Sequence, residues 1–163
     1  MMHGSLVAAL VTAALGAALV GGILFAFSTF VMPALARQPA AGGIATMQAI
    51  NRTVFTPWVM VPFVGTGPAL LAIAAALWSG VAPGTAMSAT LVTAAAAVYV
   101  VGCLGITRGC NIPRNERLDA FQPEQADAEA YWHDYLVSWT RWNHIRTAAC
   151  LATSALAIAA LLV

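Results

Sequence analysis

Three short segments hold most of the side chains able to bind or polarise a ligand. In Met47-Gln48-Ala49-Ile50-Asn51-Arg52, the residues Gln48, Asn51 and Arg52 stand at i, i+3 and i+4 and share one helical face. The second segment is Asn111-Ile112-Pro113-Arg114-Asn115-Glu116-Arg117. In the third, Trp139-Thr140-Arg141-Trp142-Asn143-His144-Ile145-Arg146, the residues Trp139, Trp142 and Arg146 fall on one stripe, and Asn143 and Arg146 are surface neighbours. Amide and guanidinium donors beside indole rings suit a flat, partly polar ligand. Taken singly, each segment has a plain structural use, because Arg and Trp anchor at membrane interfaces and Asn beside Gly and Pro is turn chemistry. The set is harder to explain that way. An anchoring belt needs aromatics at both interfaces, yet Trp78 and Tyr99 alone lie away from the half that carries these segments. Trp58 in that half joins Trp139 and Trp142 as a candidate ring-binding residue.

The elements that position these residues follow from composition. Of 163 residues, 61% are hydrophobic and 8% charged, whereas soluble domains run at about 45–50% and about 25%. A soluble enzyme, a disordered segment and a disulfide scaffold are excluded. A net charge of +1 without a basic run leaves no footprint for nucleic acid. No charged residue occurs from Thr53 to Thr107, and the turn signal Ser79-Gly80-Val81-Ala82-Pro83-Gly84 divides that stretch. A span needs about 20 apolar residues, so the pattern predicts an all-α integral membrane four-helix bundle, one domain over residues 1–163. Its helices are expected at residues 4–32, 54–79, 84–108 and 137–163. Strands of a membrane barrel would alternate in polarity, and none does. Ala34-Leu35-Ala36 resembles a cleavage site, but the long apolar stretch and uncharged start predict a retained first helix.

All seven Arg fall in or beside two connections, between helices 1 and 2 and between helices 3 and 4. The positive-inside rule makes that face cytoplasmic and places both termini on the non-cytoplasmic side of an inner or plasma membrane. His3 then lies on the face opposite the arginines. Gly109-Cys110-Asn111-Ile112-Pro113 reads as a helix stop, and residues 44–52 as an interfacial extension of helix 2. The acids from Glu116 to Asp134 mark an amphipathic segment before the span of helix 4, so helix 4 is expected to begin near Pro123, outside the bilayer, and run inward. Ala14, Ala18, Gly22 and Ala26, like Ala89, Thr93 and Ala97, recur every four residues and are expected to pack helices closely. Pro57, Pro62 and Pro68 are expected to bend helix 2, either opening a pocket or fitting the helix to its neighbours.

The run Met47–Arg52, the Asn111-x-Pro113-x-Asn115-x-x-Leu118 element and the Trp139-x-x-Trp142-Asn143-x-x-Arg146-Thr147 element together resemble the anthrone oxygenase-like (DUF1772) family of small four-helix membrane proteins. The resemblance runs through nearly the whole chain in order and spacing. It implies oxidation of polyketide anthrones to anthraquinones by molecular oxygen, without a recognised cofactor. An anthrone that loses its acidic C–H proton becomes an electron-rich oxyanion able to meet O₂ directly. The resemblance therefore asks for a base, oxyanion donors and an apolar chamber. His144 or His133 would be the base. Arg146, Arg52, Asn143 and Asn115 would stabilise the oxyanion, and Gln48, Asn51, Asn111, Asn115, Trp58, Trp139 and Trp142 would bind substrate.

A metal or haem is not expected. Glu129 and His133 are spaced i, i+4, but no second carboxylate–His set accompanies them. Cys103, Cys110 and Cys150 form no C-x-x-C pair and read as small packing residues. The expected partners are membrane lipid and a hydrophobic small molecule, with self-association left open. A small-molecule transporter and a non-catalytic membrane subunit are the alternatives, although no Asp or Glu lies inside a predicted span to couple transport to protons.

Overall fold

Long charge-free runs of Ala, Leu, Val and Gly fold as helices in the computed structural model, which describes residues 4–163. His3 lies outside the described residues. The order is α1 (Gly4–Leu35), α2 (Ala40–Thr53), α3 (Pro57–Trp78), α4 (Ala86–Asp119) and α5 (Ala126–Ala159), with no strand among the described residues. Among them α1, α3 and α4 are long and apolar enough to cross a membrane. The first half of α5 is too polar for it to join them. α1 packs against α3 and α5, and α4 packs against the same two.

Local chemistry explains the ends. Gly80 takes a φ of 74° in the turn after α3, a conformation that side chains with a Cβ resist. Thr85 opens α4 with reciprocal capping: its Oγ1 accepts from Ser88 N–H at 3.0 Å, and Thr85 N–H donates to Ser88 Oγ at 2.9 Å. Asp127 and Glu129 lie in the first turn of α5, where they complement the helix dipole. The helix ends at its cap Val54 and Thr56 is extended, so residues 40–53 form a helix of their own rather than an extension of α3, and Pro57 begins α3 instead of bending it.

The expected stop at Gly109–Pro113 is overturned, because α4 runs on to Asp119. It does so through π-helical turns at Val100–Gly105 and Thr107–Asn111, whose wider turns accommodate the missing N–H of Pro113 at the start of the next α-helical stretch. Side chains serve the loosened ladder: Thr107 Oγ1 donates to the Cys103 carbonyl at 2.7 Å, and Arg114 Nη1 to that of Cys110 at 2.7 Å. The first helix likewise continues past residue 32 through a π-helical turn at Phe27–Val31. The amphipathic segment before helix 4 is continuous with it, giving a single helix of 34 residues.

The packing rows also differ from expectation. On α1 the buried small residues are Ala13, Ala14, Ala17 and Gly21, while Gly22 is exposed. A Cβ built at Gly21 would lie 3.1 Å from Cys150 Cβ, so α5 packs close against α1 there. On α4 the inward residues are Ala89, Val92, Ala95, Ala96 and Tyr99, with Thr93 and Ala97 exposed. A spacing of four drifts by about 40° per step on a helix of 3.6 residues per turn, so such a row leaves the contact face within a few steps.

Two cores result. One is the aliphatic interior of the helix bundle, containing Leu10, Val20, Leu70, Val92 and Tyr99. The other lies under α2, where Ile44 and Met47 pack against Leu118, Trp132, Tyr135 and Trp139. Gly43 allows this docking, because a Cβ there would meet the Trp132 ring at 2.8 Å and the Leu35 carbonyl at 3.1 Å. The polar residues of interest lie where the two cores join.

Candidate functional site

At that junction is a cavity of about 180 Å³. Its walls are mainly aliphatic and aromatic, with Leu24 and Phe27 from α1, Met47 and Ile50 from α2, Met60 and Phe63 from α3, and Trp139 from α5. Four polar side chains interrupt them: Asn51, Thr107, Asn115 and Arg146. The lining reaches the exterior at the break between α2 and α3, where Phe55 is 72% exposed.

Arg146 dominates the electrostatics. It is only 5% exposed. Its Nη2 donates to Asn143 Oδ1 at 2.7 Å and its Nη1 to Thr107 Oγ1 at 3.1 Å, while its Nε is buried without a partner. Both acceptors are neutral. The ion pair among the described residues joins Arg52 to Asp119, so no carboxylate balances Arg146. Its guanidinium carbon stands 5.2 Å from the centre of the Trp139 ring, a cation–π distance.

The neighbouring amides are fixed by their own bonds. Asn143, fully buried, donates through Nδ2 to the Leu24 carbonyl at 2.7 Å and to Ser28 Oγ at 2.8 Å, which turns its oxygen toward Arg146. Asn115 Oδ1 accepts from Tyr135 Oη and from Trp139 Nε1, each at 2.8 Å. Two donors on that oxygen leave the Asn115 NH₂ as the group free to serve the cavity. Asn51 Nδ2 is buried with no hydrogen-bond partner. Burial raises the hydroxyl pKa of Tyr135, and that of Tyr131 against the opposing pull of Arg117 and Arg114. Both stay protonated at neutral pH, so Tyr135 acts on Asn115 as a donor.

The structure thus brings Asn51, Asn115, Trp139 and Arg146 to one cavity and sets Asn143 directly behind Arg146. The other residues singled out by sequence lie elsewhere. His144 is exposed on α5, as is His133, and neither lines the cavity, so the structure offers neither as its base. Arg52 reaches Asp119 at 2.8 Å on the exterior. Gln48 ties α2 to the end of α4 through the carbonyls of Leu118 at 2.9 Å and Phe121 at 3.0 Å. Asn111 donates to the Trp139 carbonyl at 3.3 Å. Trp142 is half-buried outside the lining. Trp58 is 86% exposed and borders a different, larger groove of about 740 Å³ between α1 and α3, whose walls are almost wholly apolar. Sequence reasoning missed Ser28, Thr107 and Tyr135. The signal for Ser28 and Thr107 was their position as hydroxyls inside or at the end of apolar spans.

The anthrone oxygenase family model matches residues 55–156, well over half of the chain. The chain belongs to the anthrone oxygenase family. That match takes in Thr107, Asn115, Trp139, Asn143 and Arg146, whereas Asn51 lies before it. No curated protein and no solved structure matches the chain. In this anthrone oxygenase family member, no three His, Cys, Asp or Glu side chains are grouped to hold a metal ion among the described residues.

The exposure of His144 leads to a direct expectation. If the family's anthrone oxidation takes place in this cavity, His144→Ala should keep turnover within about twofold of the parent, since exposed side chains away from special features contribute little. A loss of tenfold or more in steady-state oxygen uptake would return His144 to the chemistry.

Proposed function

We propose that this protein is a membrane-bound oxygenase that converts a hydrophobic anthrone-like ring substrate to the corresponding quinone, using molecular oxygen and no cofactor. One observation carries the reading: a buried guanidinium without a carboxylate faces an otherwise apolar, aromatic-walled cavity. The family match agrees with it. The substrate carbonyl oxygen is directed at Arg146, and the Asn51 and Asn115 amides donate from the side. Asn143 and Thr107 hold the guanidinium in place.

The chemistry balances as follows. Loss of one ring-methylene proton leaves its electron pair delocalised onto the carbonyl oxygen. One electron passes to O₂, and radical recombination forms the new C–O bond of a peroxide, which takes up a proton. The second methylene proton then leaves, the O–O bond breaks, and hydroxide departs as the new carbonyl forms. One oxygen atom ends in the quinone and the other in water. The carbon loses four electrons and O₂ gains four. Arg146 contributes most while charge sits on oxygen, the stage at which fixed donors lower a barrier.

In the same reading the chain crosses the cell membrane four times. α5 supplies the fourth span from about Val137 onward, both termini face outward, and the arginine-bearing side is cytoplasmic. α4 and α5 have 34 residues each, about 50 Å of helix. Each exceeds the roughly 30 Å hydrocarbon core, so their polar ends and α2 would form a cap on the cytoplasmic side. A hydrophobic substrate would reach the cavity beside Phe55.

The test is anthrone oxidation by protein purified in nonionic detergent, followed as oxygen uptake and quinone absorbance. Stoichiometric quinone formation well above the protein-free rate is expected. A rate equal to that of empty micelles would overturn the reading.

A further inference from the structure

We propose that the cavity takes its ligand as an oxyanion, with Arg146 as the counter-ion, and that no carboxylate or imidazole among the described residues lines it to make that anion. If the cavity is the substrate site, as proposed above, the protein acts by making its substrate a stronger acid. The ligand class is a flat, weakly acidic phenol or enol whose negative charge is shared between oxygen and ring.

The inventory around Arg146 supports this. Its cavity is lined by no Asp, Glu, His or Lys among the described residues. The titratable groups that face the guanidinium are the thiols of Cys103 and Cys110 on α4, and the Cys150 thiol and Tyr135 hydroxyl on α5. From α1 the nearby polar group is the Ser28 hydroxyl behind Asn143, and from α2 it is the Asn51 amide, neither of them ionisable. α3 contributes Met60 and Phe63. A cation is therefore held in a largely apolar setting by two neutral oxygens, with Nε unused. Such a charge is costly to bury unless something negative joins it. Asn51 Nδ2, also buried and unpartnered, adds a second donor without an acceptor. The site has donors to spare and one positive charge, which matches a monoanion.

A lipid phosphate shares the oxyanion chemistry. The single cation and ring-faced walls favour a delocalised phenolate instead, and the aromatic side is built by Phe27, Phe63 and Trp139. Ionisation of the bound ligand breaks its O–H or C–H bond, leaves the electron pair on the ligand, and releases the proton to water at the open side near Phe55.

The experiment uses the full chain in nonionic detergent with 4-nitrophenol, whose neutral and anionic forms differ in colour and interconvert near neutral pH. A cavity of about 150 Å³ holds benzene, so this one, at about 180 Å³, encloses one substituted ring, and the further rings of an anthrone would extend through the open side beside Phe55. A tenfold preference for the anion lowers the midpoint of the bound probe by about one pH unit. A downward shift of at least about that size, relative to protein-free micelles, is expected. It should vanish in Arg146→Gln and shrink in Asn51→Ala, which removes a donor that makes no bond within the protein and so keeps the test available if the arginine variant does not fold.

An unshifted or upward midpoint, no binding of the probe, or a shift indifferent to both substitutions would overturn the proposal. Displacement of the probe by phosphatidylglycerol, but not by phosphatidylcholine, would assign the site to a lipid headgroup and likewise overturn it. The two readings fail separately. A shifted probe without anthrone oxidation leaves the anion site and removes the oxygenase. Oxidation with an unshifted probe does the reverse.

Discussion

Arg146→Met should lower the turnover of anthrone by about 10²–10³, the usual cost of removing one oxyanion donor, while the protein stays folded. Methionine nearly matches the arginine stem in length and flexibility, so the wall beside Trp139 remains filled. Two acceptors, Asn143 Oδ1 and Thr107 Oγ1, lose their donor, at about 1–3 kcal/mol for each buried group left unsatisfied. Against that, a guanidinium that no carboxylate balances no longer has to be desolvated, a penalty of several kcal/mol per buried ion. The two effects oppose each other, so the thermal midpoint should move little or rise. The readout is steady-state oxygen uptake beside thermal unfolding in the same detergent. If Arg146 stabilises charge as it develops, the loss falls on kcat. If it holds substrate and transition state alike, KM rises with kcat unchanged. A variant that loses its helical signal on purification would instead make Arg146 a structural residue.

Such an experiment is well aimed because one part of the site could be read directly from sequence. Asn143 and Arg146 are three residues apart on a continuous helix, so their contact at 2.7 Å follows from helical geometry alone. The same geometry argues against His144, which lies about 200° around the helix from Arg146 at 100° per residue. Residue type made it attractive as a base, but periodicity assigns it to the other face. Asn51 and Asn115 are a different matter. They meet at Arg146 because α2 folds back under the bundle, and that return depends on the contact between Gly43 and the Trp132 ring, 89 positions apart in the chain. No local pattern encodes it.

The helices divide in a similar way. The charge-free runs located α1 and α3 because hydrophobic length is a property of the segment itself. The end of α4 could not be placed so. Gly109 and Pro113 carry a strong local signal to stop, and the helix passes through them because π-helical turns are supported by the Thr107 and Arg114 side chains. Those turns also set the site, since Thr107, at the start of the second π-helical turn of α4, is the acceptor for Arg146. Thr107 thus both supports the helix through its stop signal and forms part of the cavity wall.

Asn143→Asp separates the charge of Arg146 from its hydrogen bonds. The substitution preserves shape and an oxygen facing Nη2, now 2.7 Å from the guanidinium in the parent protein. A carboxylate there would pair with Arg146 and cancel the charge that the cavity offers to a ligand. Turnover of anthrone should fall by at least about 10²-fold, and the downward titration shift of 4-nitrophenol should disappear, although Arg146 is still present. Stability responds to two opposing changes. The new ion pair is favourable in a setting of low dielectric. The lost Nδ2 donor leaves the Leu24 carbonyl facing an acceptor, which costs about 1–3 kcal/mol. Acid pH supplies the internal control. A carboxylate held beside a guanidinium has its pKa depressed, so the stabilising pair is complete above the unfolded carboxylate value and is lost as pH falls through the folded one. Protonation should therefore restore part of the activity below the ordinary carboxylate range, a recovery the parent protein cannot show. If Asn143→Asp instead oxidises anthrone at the parental rate at neutral pH, the net charge at Arg146 has no part in the reaction, and hydrogen-bond direction alone must account for the site.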